Sequence, residues 1–237
     1  MTAFDDLLVV QELDTTTDQL RHRLATLPER AALTTAAASR DDVTARLSDA
    51  EARRSAVRRE QKRIEDEVAS VEDKATHVNG QLYGGTITSP KELEALQHEL
   101  DGLHARQHDL EDHVIEQMEL AEPIDEELTS LAQELETAEQ RVTVATAELD
   151  VAAAETTAEL DAATARRAET VTTIPDELLA RYEGIRKRAG GVGAARLAGN
   201  RCEGCHLAIP SAEAEEIRRA PVDEIVVCPE CDRILVR

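Results

Sequence analysis

The chain has 237 residues, 32% of them charged, and a formal net charge of −22. It is 41% hydrophobic but only 1% aromatic, with one Phe, two Tyr and no Trp. This excludes a compact core of ordinary aromatic bulk and suits a long helical seam. The charge opposes non-specific binding of the whole molecule to nucleic acid or to an anionic membrane.

The start, Met1-Thr2-Ala3-Phe4-Asp5-Asp6, lacks the basic stretch of a signal peptide. No apolar run reaches the roughly eighteen residues of a membrane span. With thiols arranged for metal rather than spread for disulfides, the expected location is the cytoplasm, with no membrane partner.

Leu13, Leu20, Leu24, Leu27 and Ala31 open a heptad pattern. A slip near residues 38–43, together with Pro28, predicts a kink or local unwinding. A steadier seam follows at Val43, Leu47, Ala50, Val57, Ile64, Val68, Val71, Ala75, Val78 and Leu82, with Arg54 and Gln61 as its polar members. Spacings of three and four alternate throughout, the mark of a coiled-coil face.

Asn79 to Ser89 interrupts the pattern with Gly80, Gly84 and Gly85. Ser89-Pro90-Lys91-Glu92 then reads as a helix restart: N-cap, proline at the first helical position, and a capping-box glutamate. A second seam runs from Leu93 through Leu96, Leu100, Leu103, Leu110 and Val114 to Leu149 and Ala152, with Gln107 and Gln117 as polar members. Two long heptad helices joined by a short tip predict an antiparallel hairpin. Its paired arm, residues 43–82 against about 90–130, spans roughly 60 Å at 1.5 Å per residue. Pro123 predicts a bend.

Arg53, Arg54, Arg58, Arg59, Lys62 and Arg63 form a basic run, while residues 92–139 carry 16 acids against Arg106 alone. A turn centred near residue 85 sets the basic run opposite about 107–117, where Asp109, Glu111, Asp112 and Glu116 sit. Flanking salt bridges are the leading reading and nucleic-acid binding the alternative. His98, His104, His108 and His113 lie off the seam and read as solvated; a metal pair at His104 and His108 is the alternative.

After Ile174, Pro175-Asp176-Glu177 restarts a short helix, and Gly190-Gly191-Val192-Gly193 follows. Without a following lysine and Ser/Thr this is not a phosphate loop, and it reads as a flexible hinge. Residues 181–201 hold six basic side chains against Glu183. They read either as a dock for acidic helices or, through Arg186, Lys187 and Arg188, as a nucleic-acid contact.

The four cysteines are Cys202, Cys205, Cys228 and Cys231. Two CxxC pairs at this separation are the pattern of a four-cysteine zinc site. A redox or disulfide pair and another metal are the alternatives. Gly204 is expected to take the first turn, His206 to stay outside the ligand set, Ile225–Val227 and Ile234–Val236 to flank the second knuckle as strands, and the return between the knuckles to be a short hairpin. Four thiolates fill a tetrahedral zinc and leave no position for water or substrate, so one structural Zn2+ ion is expected.

These residues resemble the bacterial C4-type zinc-ribbon proteins with a long N-terminal coiled-coil helical hairpin. The resemblance is carried by the tip Leu82-Tyr83-Gly84-Gly85-Thr86-Ile87-Thr88-Ser89-Pro90, by Tyr182-Glu183-Gly184-Ile185-Arg186, and by the two cysteine knuckles. Asp232 stands where the family pattern has glycine. The resemblance implies a non-enzymatic adaptor. Members in flagellated or type III-secreting bacteria look like partners of the alternative sigma factor-54 and of secretion-apparatus proteins, and RNA binding is proposed for the family.

The expected architecture is mainly α. Residues 1–174 form a coiled-coil hairpin with its tip at about 79–89, residues 175–194 a short helix and hinge, and residues 195–237 a small β zinc ribbon. The expected function is an adaptor or scaffold for protein partners, with Tyr83 and Ile87 at the tip as candidate anchors. The alternative is a regulatory protein binding RNA or DNA. No nucleophile–base pair, phosphate loop or open metal position points to an enzyme or to a small-molecule substrate.

Overall fold

The computed structural model describes residues 2–237. Its elements are α1 (Ala3–Ala25), α2 (Pro28–Tyr83), α3 (Pro90–Val171), α4 (Asp176–Arg188), β1 (Ala194–Ala198), β2 (Arg201–Cys202), α5 (Ser211–Arg219) and β3 (Ile234–Val236). The chain is mainly helical, with a long hairpin and a small C-terminal sheet. It divides into two compact units, Leu33–Ala145 and the segment up to Ala32 together with Thr146–Arg237.

The unit Leu33–Ala145 is the antiparallel hairpin. Every seam position named above between 43 and 82, and between 93 and 145, is buried or half-buried. Val43, Ala50 and Leu131 form one cluster, and Ala75, Val78 and Leu100 another. Ala50, Ala75, Ala121, Ala138 and Ala145 punctuate rows of Leu, Ile and Val, so the seam packs without aromatic filling.

The charge register differs from the expected one. Arg46 pairs with Glu134 at 3.0 Å, Arg53 with Glu127 at 2.8 Å and Arg54 with Asp125 at 2.7 Å. The midpoint of residues 53 and 127 is 90, not 85. α2 continues to Tyr83, whereas non-helical residues 84–89 lengthen the return before Pro90. Farther along, Lys62 binds Asp66 and Arg63 binds Glu60 and Glu67, all on their own helix.

The turn itself is tight. A Cβ on Gly84 would lie 2.6 Å from the carbonyl oxygen of Gly80, and Gly85 has φ 72°. Both positions therefore require glycine. Ser89 accepts the amides of Glu92 and Leu93 through its carbonyl at 3.1 Å. α3 continues unbroken through Pro123, which lies on an exposed face, and α2 is continuous over residues 38–43. The helical break falls instead at Thr26–Leu27, where Pro28 disfavours a helical residue before it. Ala31, expected on the seam, is exposed.

In the other unit, α1 opens on a capping box: the Asp5 amide donates to Thr2 Oγ1 at 3.2 Å, and the Thr2 amide donates to Asp5 Oδ2 at 2.9 Å. α1 buries Leu7, Val10, Leu13 and Leu20. Leu7 and Val10 meet Ile174, Leu178, Tyr182, Ile185, Ala194 and Ile234 in one core. Acids at the start of α4 and Arg186, Lys187 and Arg188 at its end suit the helix dipole.

The sheet order is β2-β1-β3, with β2 antiparallel to β1 and β3 parallel to it. Parallel pairing needs a crossover, and α5 lies within it. This corrects the expected simple hairpin. Ile225–Val227 is not a full strand but meets β3 through an antiparallel bridge, Val227 to Ile234, and the Leu235 amide donating to the Val226 carbonyl at 2.8 Å, and the space between the knuckles holds a nine-residue helix. α5 turns Ala214 and Ile217 into the ribbon core. The guanidinium of Arg237 donates to the carbonyls of Ile217, Ala220 and Pro221 at 2.7–2.9 Å and so closes its C-terminal end.

The glycine run is not a loose hinge. The Gly193 amide donates to the buried Gln11 Oε1 at 2.6 Å, and its carbonyl accepts from Ile234 at 2.9 Å. Gln11 Nε2 in turn donates to the Gly191 carbonyl at 3.1 Å. Residues 190–194 are thus tied to α1.

Candidate metal centre

Each cysteine pair sits in the same backbone device. The Cys202 amide donates to the Leu207 carbonyl at 3.1 Å, and the Cys202 carbonyl accepts from His206 at 2.8 Å. In the second knuckle the Cys228 amide donates to the Arg233 carbonyl at 2.8 Å, and the Cys228 carbonyl accepts from Asp232 at 2.9 Å. His206 and Asp232 take positive φ, 62° and 59°. The left-handed residue of the first knuckle is therefore His206 and not Gly204, as expected from sequence.

Gly204 is needed for a different reason. A Cβ there would lie 2.7 Å from Arg233 Cδ and 2.9 Å from Ala195 Cβ. The first knuckle packs directly on the strand and on the second knuckle's arginine.

The two devices bring four sulfurs together. All four Sγ atoms lie within 4.8 Å of one another, with Cys202–Cys231 and Cys205–Cys228 both at 3.9 Å. A tetrahedral zinc with Zn–S near 2.3 Å sets its sulfurs about 3.8 Å apart. A disulfide needs about 2.05 Å. The arrangement fits a closed four-thiolate zinc and neither pair is a disulfide. This is the one group of three or more Cys, His, Asp or Glu with metal-binding geometry among the described residues.

Cys202 and Cys228 are buried, and Cys205 and Cys231 half-buried. Burial pushes the Cys202 thiol up and the Cys228 thiol up to about 12. At Cys231 burial is outweighed by hydrogen bonds from the Arg233 amide and guanidinium and from Cys205 and Cys228, which together hold that thiol below its ordinary value. Arg233 also donates to the carbonyls of Val192 and Ala189, both at 3.1 Å. It therefore joins the charged sulfur site to the glycine run, a role the sequence reading missed. The signal available was its place directly after the left-handed Asp232.

The other candidates scatter. Tyr83 is 75% exposed at the tip and Ile87 is half-buried. Arg186 is only 21% exposed and binds Asp18 at 2.7 Å and Asp14 at 3.3 Å. It is thus committed inside the unit, as the docking reading of the basic segment anticipates, while Lys187 and Arg188 remain exposed. His108 and His113 each contact an acid on their own helix, Asp112 and Glu116.

Sequence reasoning also missed a buried polar centre. Asp14 accepts from Tyr182 Oη at 2.7 Å and from Arg167 Nε at 2.6 Å, and Arg167 also binds Glu183. Tyr182, Glu183 and Arg186, conspicuous in the sequence, serve this centre. No helix among the described residues is long and apolar enough to cross a membrane.

Fold and site define a helical-hairpin protein carrying a four-cysteine ribbon. Residues 10–190 match the CT398-like coiled coil hairpin domain, and residues 201–235 match the C4-type zinc ribbon domain. The chain belongs to the CT398-like coiled-coil hairpin family. It is 34% identical over 239 residues to an uncharacterized protein of Mycobacterium tuberculosis, covering 98% of this chain and 94% of the relative. A solved structure from Mycobacterium smegmatis is similar at TM-score 0.87 and 30% identity, covering 99% of this chain and 97% of that one. The structure of CT398 from Chlamydia trachomatis shares the fold at TM-score 0.67 and 21% identity, covering 98% and 96%.

Proposed function

We propose that the protein is a non-enzymatic cytoplasmic adaptor, a scaffold for protein–protein contacts whose ribbon is held in shape by one structural zinc ion. The observation that carries this reading is Tyr83. It is the most exposed of the large apolar side chains among the described residues, and it stands at a turn that two glycines fix. A solvated tyrosine on a stiff support has the chemistry of an interface anchor. Ile87, four residues on, is half-buried and is the second candidate anchor. The sulfur site supports the same reading, because a closed zinc shapes a surface and does no chemistry.

Affinity purification from the native cell, comparing the wild type with a Tyr83→Ala, Ile87→Ala variant, tests the tip. Proteins retained by the wild type and lost by the variant are the expected result. Identical partner sets would remove the tip from the account.

A second reading rests on the exposed Lys187 and Arg188. They present positive charge suited to the phosphates of RNA or DNA. A low-salt gel shift abolished by Lys187→Ala, Arg188→Ala would favour it. No shift at low salt ends it.

A further inference from the structure

The hairpin seam is interrupted where α2 supplies Arg54 and Gln61 in place of apolar residues. An open groove of about 810 Å³ runs there between α2 and α3. Its apolar lining is Ile115 and Met118, 53% and 55% exposed, beside the buried Ala121. Glu119, Glu122 and Glu126 line it as well. Arg54 Nε binds Asp125 at 2.7 Å, while Arg54 Nη1 is buried without a hydrogen-bond partner. The three glutamates form no ion pair among the described residues, so the groove sets exposed Ile115 and Met118 beside net negative charge.

We propose that this groove docks a basic amphipathic helix of a partner protein, and the proposal rests on the adaptor reading. Ile115 and Met118, three residues apart, form a short exposed apolar row on α3, with Ala121 buried at its end. Such a row receives the ridge of a second helix laid alongside. From residue 115 to residue 129 the groove runs about 20 Å, at 1.5 Å per residue, or roughly four turns. Lysines or arginines flanking the ridge meet Glu119, Glu122 and Glu126. The same acids repel nucleic-acid phosphates. They also oppose a second copy of this chain, because an isologous contact through the groove brings identical glutamates together.

The test uses the full-length protein and a fluorescent synthetic peptide of about eighteen residues, with leucines at the i, i+3, i+4, i+7 spacing and lysines elsewhere. A scrambled peptide of the same composition is the control. The expected result is saturable binding at least about tenfold tighter than the scramble. Ile115→Ser with Met118→Ser, and separately Glu119→Gln with Glu122→Gln and Glu126→Gln, should each weaken it at least about tenfold with helicity unchanged. Equal binding of the scramble, or binding retained by both variants, overturns the proposal. Self-association of the wild type that disappears in the Ile115→Ser, Met118→Ser variant also overturns it and gives the groove to a second copy. Since Tyr83 is intact in every variant, failure here is separate from failure of the tip.

Discussion

His206 and Asp232 hold the same place in the two knuckles. Each follows its second cysteine, each has a left-handed backbone, and each donates its amide to the carbonyl of its first cysteine, at 2.8 and 2.9 Å. The left-handed region costs a residue with a Cβ about 1 kcal/mol, less for aspartate. Glycine removes that cost but gains roughly 0.5–1 kcal/mol of unfolded-state entropy. His206→Gly and Asp232→Gly should therefore change ribbon stability by no more than about 0.5 kcal/mol and leave metal content intact. His206→Val should lose about 1–2 kcal/mol. Urea unfolding with metal analysis checks both, and loss of metal in His206→Gly would make His206 a ligand.

Tyr182 and Asp14 give a second test. The Tyr182 hydroxyl is buried and donates to Asp14 at 2.7 Å. Tyr182→Phe removes one donor while Arg167 and Arg186 still hold the carboxylate. The expected loss is about 1–2 kcal/mol. Burial first, and the hydrogen bond to Asp14 second, push the phenol well above its ordinary value of 10.0. A raised folded value means the folded state keeps its proton longer. Its contribution is full below pH 10 and is lost as pH rises beyond that. Stability of the wild type should fall above about pH 10, and Tyr182→Phe should flatten part of that fall. Parallel alkaline slopes would refute the assignment.

Gly193 separates a packed connection from a flexible one. A Cβ there would meet Tyr182 Cδ2, Cε2 and the Tyr182 carbonyl, all at 2.8 Å. Gly193→Ala should cost about 2 kcal/mol or more, since neither a buried ring nor backbone can give way freely. Gly190→Ala has open space and only φ 70° to oppose it, so about 1 kcal/mol is expected. Thermal unfolding of both variants decides the order, and equal, negligible losses would restore the hinge.

Much of this was legible because it repeats. The 3–4 spacing of Val43 to Leu82 and of Leu93 to Ala145 marked the seam, since one rule applies at every turn. The CxxC pairs marked the metal set, because ligand spacing is a local constraint. What stayed hidden depends on distant partners. The register of Arg53 with Glu127 follows from how long the turn is, and nothing at Arg53 encodes that. α5 was obscured by the expectation of a minimal hairpin, although Ala214 and Ile217 have helical spacing. Gln11 and Asp14 lie on an apolar helix face, and only the fold brings them to Gly193 and Tyr182.

Metal removal tests how far the ribbon's integrity reaches. Its core is small: Ala195, Leu197, Ile209, Ala214, Ile217 and Leu235 around Cys202 and Cys228. Structural zinc supplies on the order of 10 kcal/mol in peptides of this kind, so the ribbon should not hold its fold without it. Ala194 and Ile234, however, pack with Leu7, Val10 and Tyr182. Chelation should therefore release amide protection through β1 and β3, and partly through α4. Residues 43–82 and 93–145, whose seam contains no ribbon residue, should remain protected. Hydrogen exchange before and after chelation, with helicity by circular dichroism, measures this directly. Unchanged protection in β1 and β3 would show that α1 and α4 suffice to hold the strands. Collapse of the hairpin seam would show a cooperativity that the separate cores do not provide.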